Sequence, residues 1–410
     1  MQRRPSSRPR PIDLRSVAFK DDPRPLWRHL HAGPAVVLTR QPLLGQVALA
    51  VHQAEAQSVL QDASRFTVDA RRLGRRSAPG LEWWVPGRLR PLADNMLTRD
   101  GAAHRALRTR VDSAFHRPRL ERLQPRIDAL AEEAIERLVR SADGDFVAHV
   151  ARPLPQRVIG ELLGLDVATT GAGTPLDRAL GLLGSISGPF DLFRVLPAIG
   201  LITSTLREEI ARRRGAPRDD LLSALVATEG EGRPLTDEEL LAMVFLLYVA
   251  GHETTTHLMS TAVLTLLREP DTFARGAPFE PGAISELLRW LSPVQMGKPR
   301  FVTEDLVIGD TALRRGQTIA PLLACANMDP RWIEDGYRLD LHRRPVRHLA
   351  FGAGPHICLG LQLALRETRT VLETLFSRCS TVALARPDDM PSWTRRLGLR
   401  VLGELPLTGL

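Results

Sequence analysis

The order of apolar and polar positions divides the chain into a few strand-like pieces and many helices. Residues 35–52, AVVLTRQPLLGQVALAVH, carry β-branched and apolar side chains on either side of Gln41 to Gly45, which predicts a hairpin turning there. Residues 52–66 predict a short helix, and 67–100 an irregular loop punctuated by Gly74, Pro79, Gly80, Pro86, Gly87 and Pro91. A loop this long in a compact domain is usually functional or disordered, and its adjacent tryptophans, Trp83 and Trp84, argue against disorder. Helices are predicted over 101–115, 118–139 and 154–165, and over 175–214 with breaks at Gly188–Pro189 and Pro197. A long helix follows from Thr236 to Arg268, opened by Thr236 and Glu239 as a capping box. At 1.5 Å per residue it is roughly 50 Å long and crosses the domain. Residues 281–293 predict a short helix, RFVTEDLVIGDTALRRGQTIAPLL short strands, 351–360 a Gly-rich loop, and a last helix runs to about Phe376. With no internal repeat or composition shift, the chain reads as one domain, mainly α with a minor β region.

The long helix carries a polar knot, GHETTTH, in the middle of the apolar run LLYVA and LM (246–259). Each unpaired buried polar group there would cost roughly 1–3 kcal/mol. His252 and His257 do not make a zinc helix site, because five residues place them about 140° apart around the axis. Two readings remain. The threonines bond back to carbonyls one turn earlier while Glu253 emerges at a surface. Alternatively the knot is a reaction groove: small Ala250 and Gly251 admit something bulky, a local widening of the helix frees carbonyls for water, and Glu253 with Thr254 delivers protons. The bulky partner is suggested by FGAGPHICLG (351–360), where Gly352 and Gly354 permit tight turns and Pro355 stiffens the loop. Cys358, near peptide N–H groups and the mouth of a helix, is a thiol whose thiolate is stabilised; Cys325 and Cys379 have no such setting.

Apolar content of 43% and charged content of 25% are those of a soluble globular protein. The net charge of +8 is almost entirely arginine, Lys20 and Lys298 being the only lysines. Without a dense basic run interleaved with aromatics, nucleic-acid binding is not indicated. Three cysteines make no disulfide framework, which suits a cytoplasmic location. The start, MQRRPSSRPRPIDLRS, has no apolar stretch behind it; residues 1–18 read as a flexible basic tail before a domain over 19–410, with no membrane anchor.

The glycine loop resembles the haem-ligand signature of the cytochrome P450 family, Phe-Gly-x-Gly-x-His-x-Cys-x-Gly. Phe351, Gly352, Gly354, His356, Cys358 and Gly360 occupy every fixed position. AGHET (250–254) resembles the family's oxygen-activation motif, ELLR (286–289) its Glu-x-x-Arg, and HRALR (104–108) a His-x-x-x-Arg that reaches the haem propionates. Arg300 stands where bacterial members carry another propionate-binding arginine. The resemblance covers about residue 20 to the C-terminus and implies the P450 fold, with haem between the long central helix and the Cys-ligand loop and helix. It implies Cys358 as the iron ligand. His104, Arg108, Arg300 and His356, with Phe351, Gly352 and Gly360, are then the haem contacts. Ala250, Gly251, Glu253 and Thr254 fall at the oxygen site, and Glu286 with Arg289 and Arg338 form a buried network. Departures are Met328 in ANMDP, IEDGYRL (333–339) without its prolines, and Leu365 for an arginine.

The implied activity is a haem-thiolate monooxygenase using haem b and O2. It inserts one oxygen atom into a lipophilic small molecule, by hydroxylation or epoxidation, in tailoring of a secondary metabolite. Electrons would come from NAD(P)H through a separate ferredoxin and ferredoxin reductase, docked on a basic face of Arg105, Arg110, Arg343, Arg344 and Arg347, and the protein would be a monomer. A peroxide-driven peroxygenase and a non-enzymatic haem-binding protein are the alternatives. The expected pocket wall is the 67–100 loop with Trp83 and Trp84, the 179–202 region, Leu246 and Val249, closed by Val294, Met296 and Lys298.

Overall fold

A computed structural model describes residues 12–41, 44–75, 92, 94–166, 173–184, 191–227, 234–280 and 282–410. The strands are β1 (Val36–Gln41), β2 (Gly45–Ala50), β3 (Phe66–Thr67), β4 (Arg300–Val302), β5 (Leu306–Ile308), β6 (Thr311–Leu313) and β7 (Thr318–Pro321). Near the C-terminus lie β8 (Ala383–Leu384), β9 (Trp393–Thr394), β10 (Val401–Leu402) and β11 (Leu407–Thr408). β1 and β2 form the expected hairpin, in register from Val36↔Ala50 to Gln41↔Gly45. β2 then pairs in parallel with β7, giving the order β1-β2-β7-β4-β3. The sheet thus joins the early hairpin to strands some 270 residues later, around a helical body that holds the larger core.

The helices Gly101–Asp112, Arg117–Arg140, Pro153–Leu163, Ala283–Leu291 and Leu361–Arg378 lie where the sequence puts them, and the central helix spans Asp237–Arg268. Its capping box is present: Glu239 N–H donates to the Thr236 hydroxyl at 3.2 Å and Thr236 N–H to the Glu239 carboxylate at 3.0 Å. Three expectations are corrected. The helix expected over 52–66 ends at Gln61, because the Asp62 carboxylate takes the N–H groups of Ser64 and Arg65 into a turn and frees Phe66 for β3. Pro197 does not break its segment; it lies within a continuous helix, Asp191–Gly215, which forgoes one hydrogen bond to the carbonyl four residues back. Gly188–Pro189 lies outside the described residues. The tail does not extend to residue 18, since Ile12 and Leu14 are buried and Gln41 donates to the Ile12 carbonyl at 2.8 Å. Among the described residues no helix is long and apolar enough to cross a membrane.

Every residue of the central helix from Thr255 to Leu266 is buried, so this stretch has no solvent face. Four of its hydroxyls are nonetheless met within the helix: Thr255 donates to the Gly251 carbonyl at 3.3 Å, Thr256 to His252 at 2.9 Å, Ser260 to Thr256 at 2.9 Å and Thr261 to His257 at 2.6 Å.

On the helix Ala283–Leu291, Arg289 meets Glu286 through two bonds of 2.7 and 2.8 Å, both side chains being buried. Its remaining N–H groups reach the carbonyls of Asn327 (2.8 Å), Gly336 (2.9 Å) and Arg338 (3.3 Å), so all five donors have acceptors. The sequence names Arg338 as the third charge here, and the structure corrects this. Arg338 is exposed and gives only its carbonyl, whereas the Arg343 Nε reaches Glu286 at 3.2 Å. Breaking a buried pair strands a charge, at about 3–5 kcal/mol, whereas an exposed pair is worth at most about 1 kcal/mol. Arg289→Met should therefore lower the unfolding free energy by the larger amount, read from the denaturant midpoint. A loss on the exposed-pair scale would contradict the network.

Candidate active site

A cavity of about 310 Å³ separates the central helix from the glycine loop. One wall is Leu246, Leu247, Ala250, Gly251, Thr254 and Thr255; the other is Phe351, Gly352, Cys358, Leu359 and Gly360. The loop needs its glycines. Gly352 and Gly354 adopt left-handed φ of 71° and 70°, and a Cβ at Gly354 would stand 2.8 Å from the Leu60 carbonyl oxygen. Cys358 N–H closes the loop onto the Phe351 carbonyl at 2.9 Å. Burial, the largest influence, raises the Cys358 pKa, and the Gly360 N–H and Arg108 pull it down without prevailing. The stabilised thiolate expected from the sequence is thus not supplied by protein groups alone; a bound metal cation deprotonates such a thiol.

The predicted cationic groups converge at the cavity. His104, Arg108, Arg300 and His356 all line it, from three separate stretches of chain: the helix Gly101–Asp112, β4 and the glycine loop. Arg108 donates to the carbonyls of Pro355 (3.2 Å) and Ile357 (2.7 Å), and His104 faces those of Met96 (2.8 Å) and Pro355 (3.0 Å). The His104 and His356 rings meet with centroids 4.1 Å apart, tilted at 50° to each other. Asp100, which sequence reasoning missed, holds the His356 Nε2 at 2.9 Å; burial raises its pKa, but bonds from His356 and Thr67 outweigh this and hold it well below the carboxylate range. Arg300 is buried and its pKa is pushed down to about 10, chiefly by burial, so it stays charged. Its Nη1 donates to the carbonyls of Val59 and Leu60, but Nε, like the Nδ1 of His356, is buried without a protein partner. A mainly apolar cavity with a thiol on one wall, and with buried Arg300 and His356 nitrogens that lack protein partners beside it, fits an iron porphyrin and its carboxylates.

The polar knot contains both structural and cavity-facing groups. The central helix is α-helical throughout, without the expected widening. The hydroxyls of Thr254 and Thr255 bond back to the carbonyls of Ala250 (3.0 Å) and Gly251 (3.3 Å), while both residues also line the cavity. Gly251 is small for a second reason: a Cβ there would stand 2.7 Å from Cγ1 of Ile159, on the neighbouring helix Pro153–Leu163. Glu253 does not line the cavity and pairs with Arg396, from the turn between β9 and β10. Burial raises the Glu253 pKa, but Arg396 outweighs it and the carboxyl lies below its ordinary value.

The substrate-pocket expectations hold in part. Leu246 and Val294 line the cavity; so does Lys298, which donates to the Leu97 carbonyl at 2.7 Å and whose pKa burial pushes down to about 8. Val249 does not, because the helix faces the cavity with the stripe Leu246, Leu247, Ala250, Gly251, Thr254 and Thr255, from which Val249 is turned away, and Met296 packs against Gly398 instead. Trp83 and Trp84 lie outside the described residues. Away from the cavity, His31, His52 and Asp329 are close enough to hold a metal ion, but they already hydrogen-bond to protein groups. His52 and Gln53 N–H meet Asp329 at 3.1 and 3.0 Å, and the ring nitrogens of His31 meet Tyr337 and Cys325.

The cytochrome P450 family model matches residues 199–275 and 278–401. Cytochrome P450 107B1 of Saccharopolyspora erythraea is 36% identical over 325 residues, 78% of this chain and 79% of that one. The chain belongs to the cytochrome P450 family. Among solved structures, the P450 PksS of the Bacillus subtilis bacillaene polyketide synthase superposes with a TM-score of 0.85 at 28% identity, over 97% of this chain and 99% of that one. A myxobacterial P450 in complex with myristic acid gives 0.87 at 31%, over 96% and 98%. The protein is accordingly a P450 monooxygenase, an oxidoreductase of a family that uses haem and O2.

The Glu253–Arg396 pair gives this P450 a defined pH response. With Arg396 present, the depressed Glu253 pKa contributes stability that is present above the ordinary carboxylate range and lost as pH falls. In Arg396→Gln burial acts unopposed by that charge, the pKa rises, and the ionised carboxyl becomes unfavourable. The stability gap between the two proteins should be widest near pH 7 and close as pH falls through the depressed Glu253 pKa, below which the carboxyl is protonated in both. Denaturant midpoints across that range check it, and a pH-independent gap would contradict it.

Proposed function

We propose that this P450 oxygenates a lipophilic small molecule, tailoring a secondary metabolite, with haem b held by Cys358 on one side of the slot. The observation that carries the reading is the slot itself, with Cys358 on one wall, Thr254 on the other, and the unmet nitrogens of Arg300 and His356 at its edge. His104, Arg108, Arg300 and His356 would hold the haem carboxylates, and Gly352 and Gly360 let the loop backbone approach the ring. Haem bound there supplies the oxidising chemistry, placing one atom of O2 in the substrate while the other leaves as water with two electrons and two protons. The protein's own part is orientation and proton control. Glu253, ionised by Arg396, takes a proton at its carboxylate, and Thr254 presents a hydroxyl that holds or passes a proton at the cavity face.

Leu246, Leu247, Val294 and Leu323 give the cavity an apolar lining, which favours a greasy substrate. The PksS and myristate-bound relatives point toward polyketide-like or fatty-acyl compounds. Electrons would reach the protein from NAD(P)H through a ferredoxin and its reductase, with exposed Arg105, Arg344 and Arg347 as a basic docking face for an acidic partner. Arg343, committed to Glu286, drops out of that face.

Two variants test the assignment. Cys358→Ala should abolish the red-shifted absorption of the reduced carbon monoxide complex, and an unchanged band would remove Cys358 as the ligand. Thr254→Ala should keep that band while diverting electrons from product to hydrogen peroxide; undiminished product per NAD(P)H would remove the role given to the alcohol. Turnover with hydrogen peroxide but none with ferredoxin would replace the electron route by a peroxygenase.

A further inference from the structure

His257, on the central helix, has no place in the chemistry so far. It is 6% exposed, and neither ring nitrogen has a protein hydrogen-bond partner. His252 on the same helix shows the satisfied alternative, its Nδ1 meeting the Tyr248 carbonyl at 2.7 Å. Leaving a buried polar group unmet costs about 1–3 kcal/mol, so such groups in folded proteins are met by ordered water.

Helix geometry says where that water belongs. His257 follows Glu253 by four residues and Thr254 by three, which sets it about 40° from the acid and about 60° from the alcohol, between the two. Side chains on a helix lean toward its N-terminus, so the imidazole lies over the turn that carries both. The charged and titratable groups around it are Glu253 and His252 on its own helix, Arg396 from the C-terminal hairpin, and Arg152 beside the Pro153–Leu163 helix. Burial above all, with Arg396, His252 and Arg152, outweighs Glu253 and pushes the His257 pKa down to about 3. The neutral ring therefore has one N–H to donate and one lone pair to accept.

We propose that His257 is a positioning residue for proton delivery, holding a water between the Glu253 carboxylate and the Thr254 hydroxyl. A proton taken from solvent by Glu253 passes to this water as the water gives one of its own to Thr254 Oγ1 and the hydroxyl releases its original proton toward the cavity, so that water, alcohol and imidazole are all unchanged at the end. This rests on the reading of Glu253 and Thr254 as the acid and alcohol of the monooxygenase.

A crystal structure of the haem-loaded protein at neutral pH gives the first readout. It should show an ordered water bonded to a His257 nitrogen and to Glu253 or Thr254; a dry ring, or one with both nitrogens on protein groups, overturns the proposal. The second readout uses ferredoxin-supplied electrons and, as substrate, whichever compound of a screened panel of polyketide-like and fatty-acyl molecules gives the largest conversion to high spin. His257→Ala should keep the carbon monoxide band and the spin shift but lower product per NAD(P)H by about 10-fold, the scale of losing a hydrogen-bonding partner one layer out from a metal site. The ratio of its rates in H2O and D2O should rise. His257→Asn, which restores a donor and an acceptor without titrating, should recover most of the coupling. Wild-type coupling and isotope ratio in His257→Ala, or an Asn variant no better than Ala, overturns it. Absence of the thiolate band from the wild-type protein would instead remove the monooxygenase reading, so the two failures are distinguishable.

Discussion

A single guanidinium, that of Arg289, ties the helical body to the loop that carries Cys358. Its five N–H groups end on Glu286 and on the carbonyls of Asn327, Gly336 and Arg338. Asn327 extends the chain of bonds, taking the Leu349 N–H at 2.6 Å and giving one to Ser292 at 2.8 Å. Leu349 stands two residues before Phe351, where the glycine loop begins. Burying this charge is favourable only because every donor is met, since desolvation otherwise exceeds the attraction. The same requirement makes the arrangement rigid: no member can move without stranding a buried partner. The width of the slot is thereby fixed by hydrogen bonds rather than by apolar packing alone.

The central helix meets the opposite difficulty, having polar residues where no solvent reaches. Back-bonding to carbonyls one turn earlier satisfies its threonines and serine at short range, so no tertiary partner is required. That local solution leaves side-chain faces free for different tasks. Ala250, Gly251 and Thr254 line the slot, Gly251 also admits Ile159, and Glu253 turns away to Arg396. On the proposed function, cavity chemistry and proton entry thus occupy adjacent faces of one rigid rod.

What was legible in the sequence was what local spacing determines. The hairpin at 35–52, the capping box, the glycine loop and the shared face of His104 and Arg108 each depend on residues within a few positions of one another. The misses share the opposite property. Arg396 meets Glu253 across 143 positions and Arg343 meets Glu286 across 57, with no local signal announcing either. Arg338 was the third partner that the family resemblance implied, but its side chain is exposed and only its backbone reaches the network. Val249 and Met296 failed for a finer reason: which face of an element looks into a cavity depends on rotations of tens of degrees that composition does not encode. The short C-terminal strands escaped because two-residue pairings carry almost no periodicity.

Burial acts in one direction on both acids of the site, and their partners decide the outcome. It disfavours the anion at Glu253 and at Cys358 alike. Glu253 has a full cation in direct contact and ends below its ordinary pKa; Cys358 has a peptide N–H and a more distant guanidinium, and ends above. The carboxylate is therefore ionised by the fold itself, whereas the sulfur remains a thiol until a metal cation arrives. A neutral thiol is a poor nucleophile and a poor target for oxidation. On the reading proposed above, the chain can fold with its proton-entry group charged and its ligand chemically quiet, so that the reactive form of the sulfur arises only in contact with the iron that it binds.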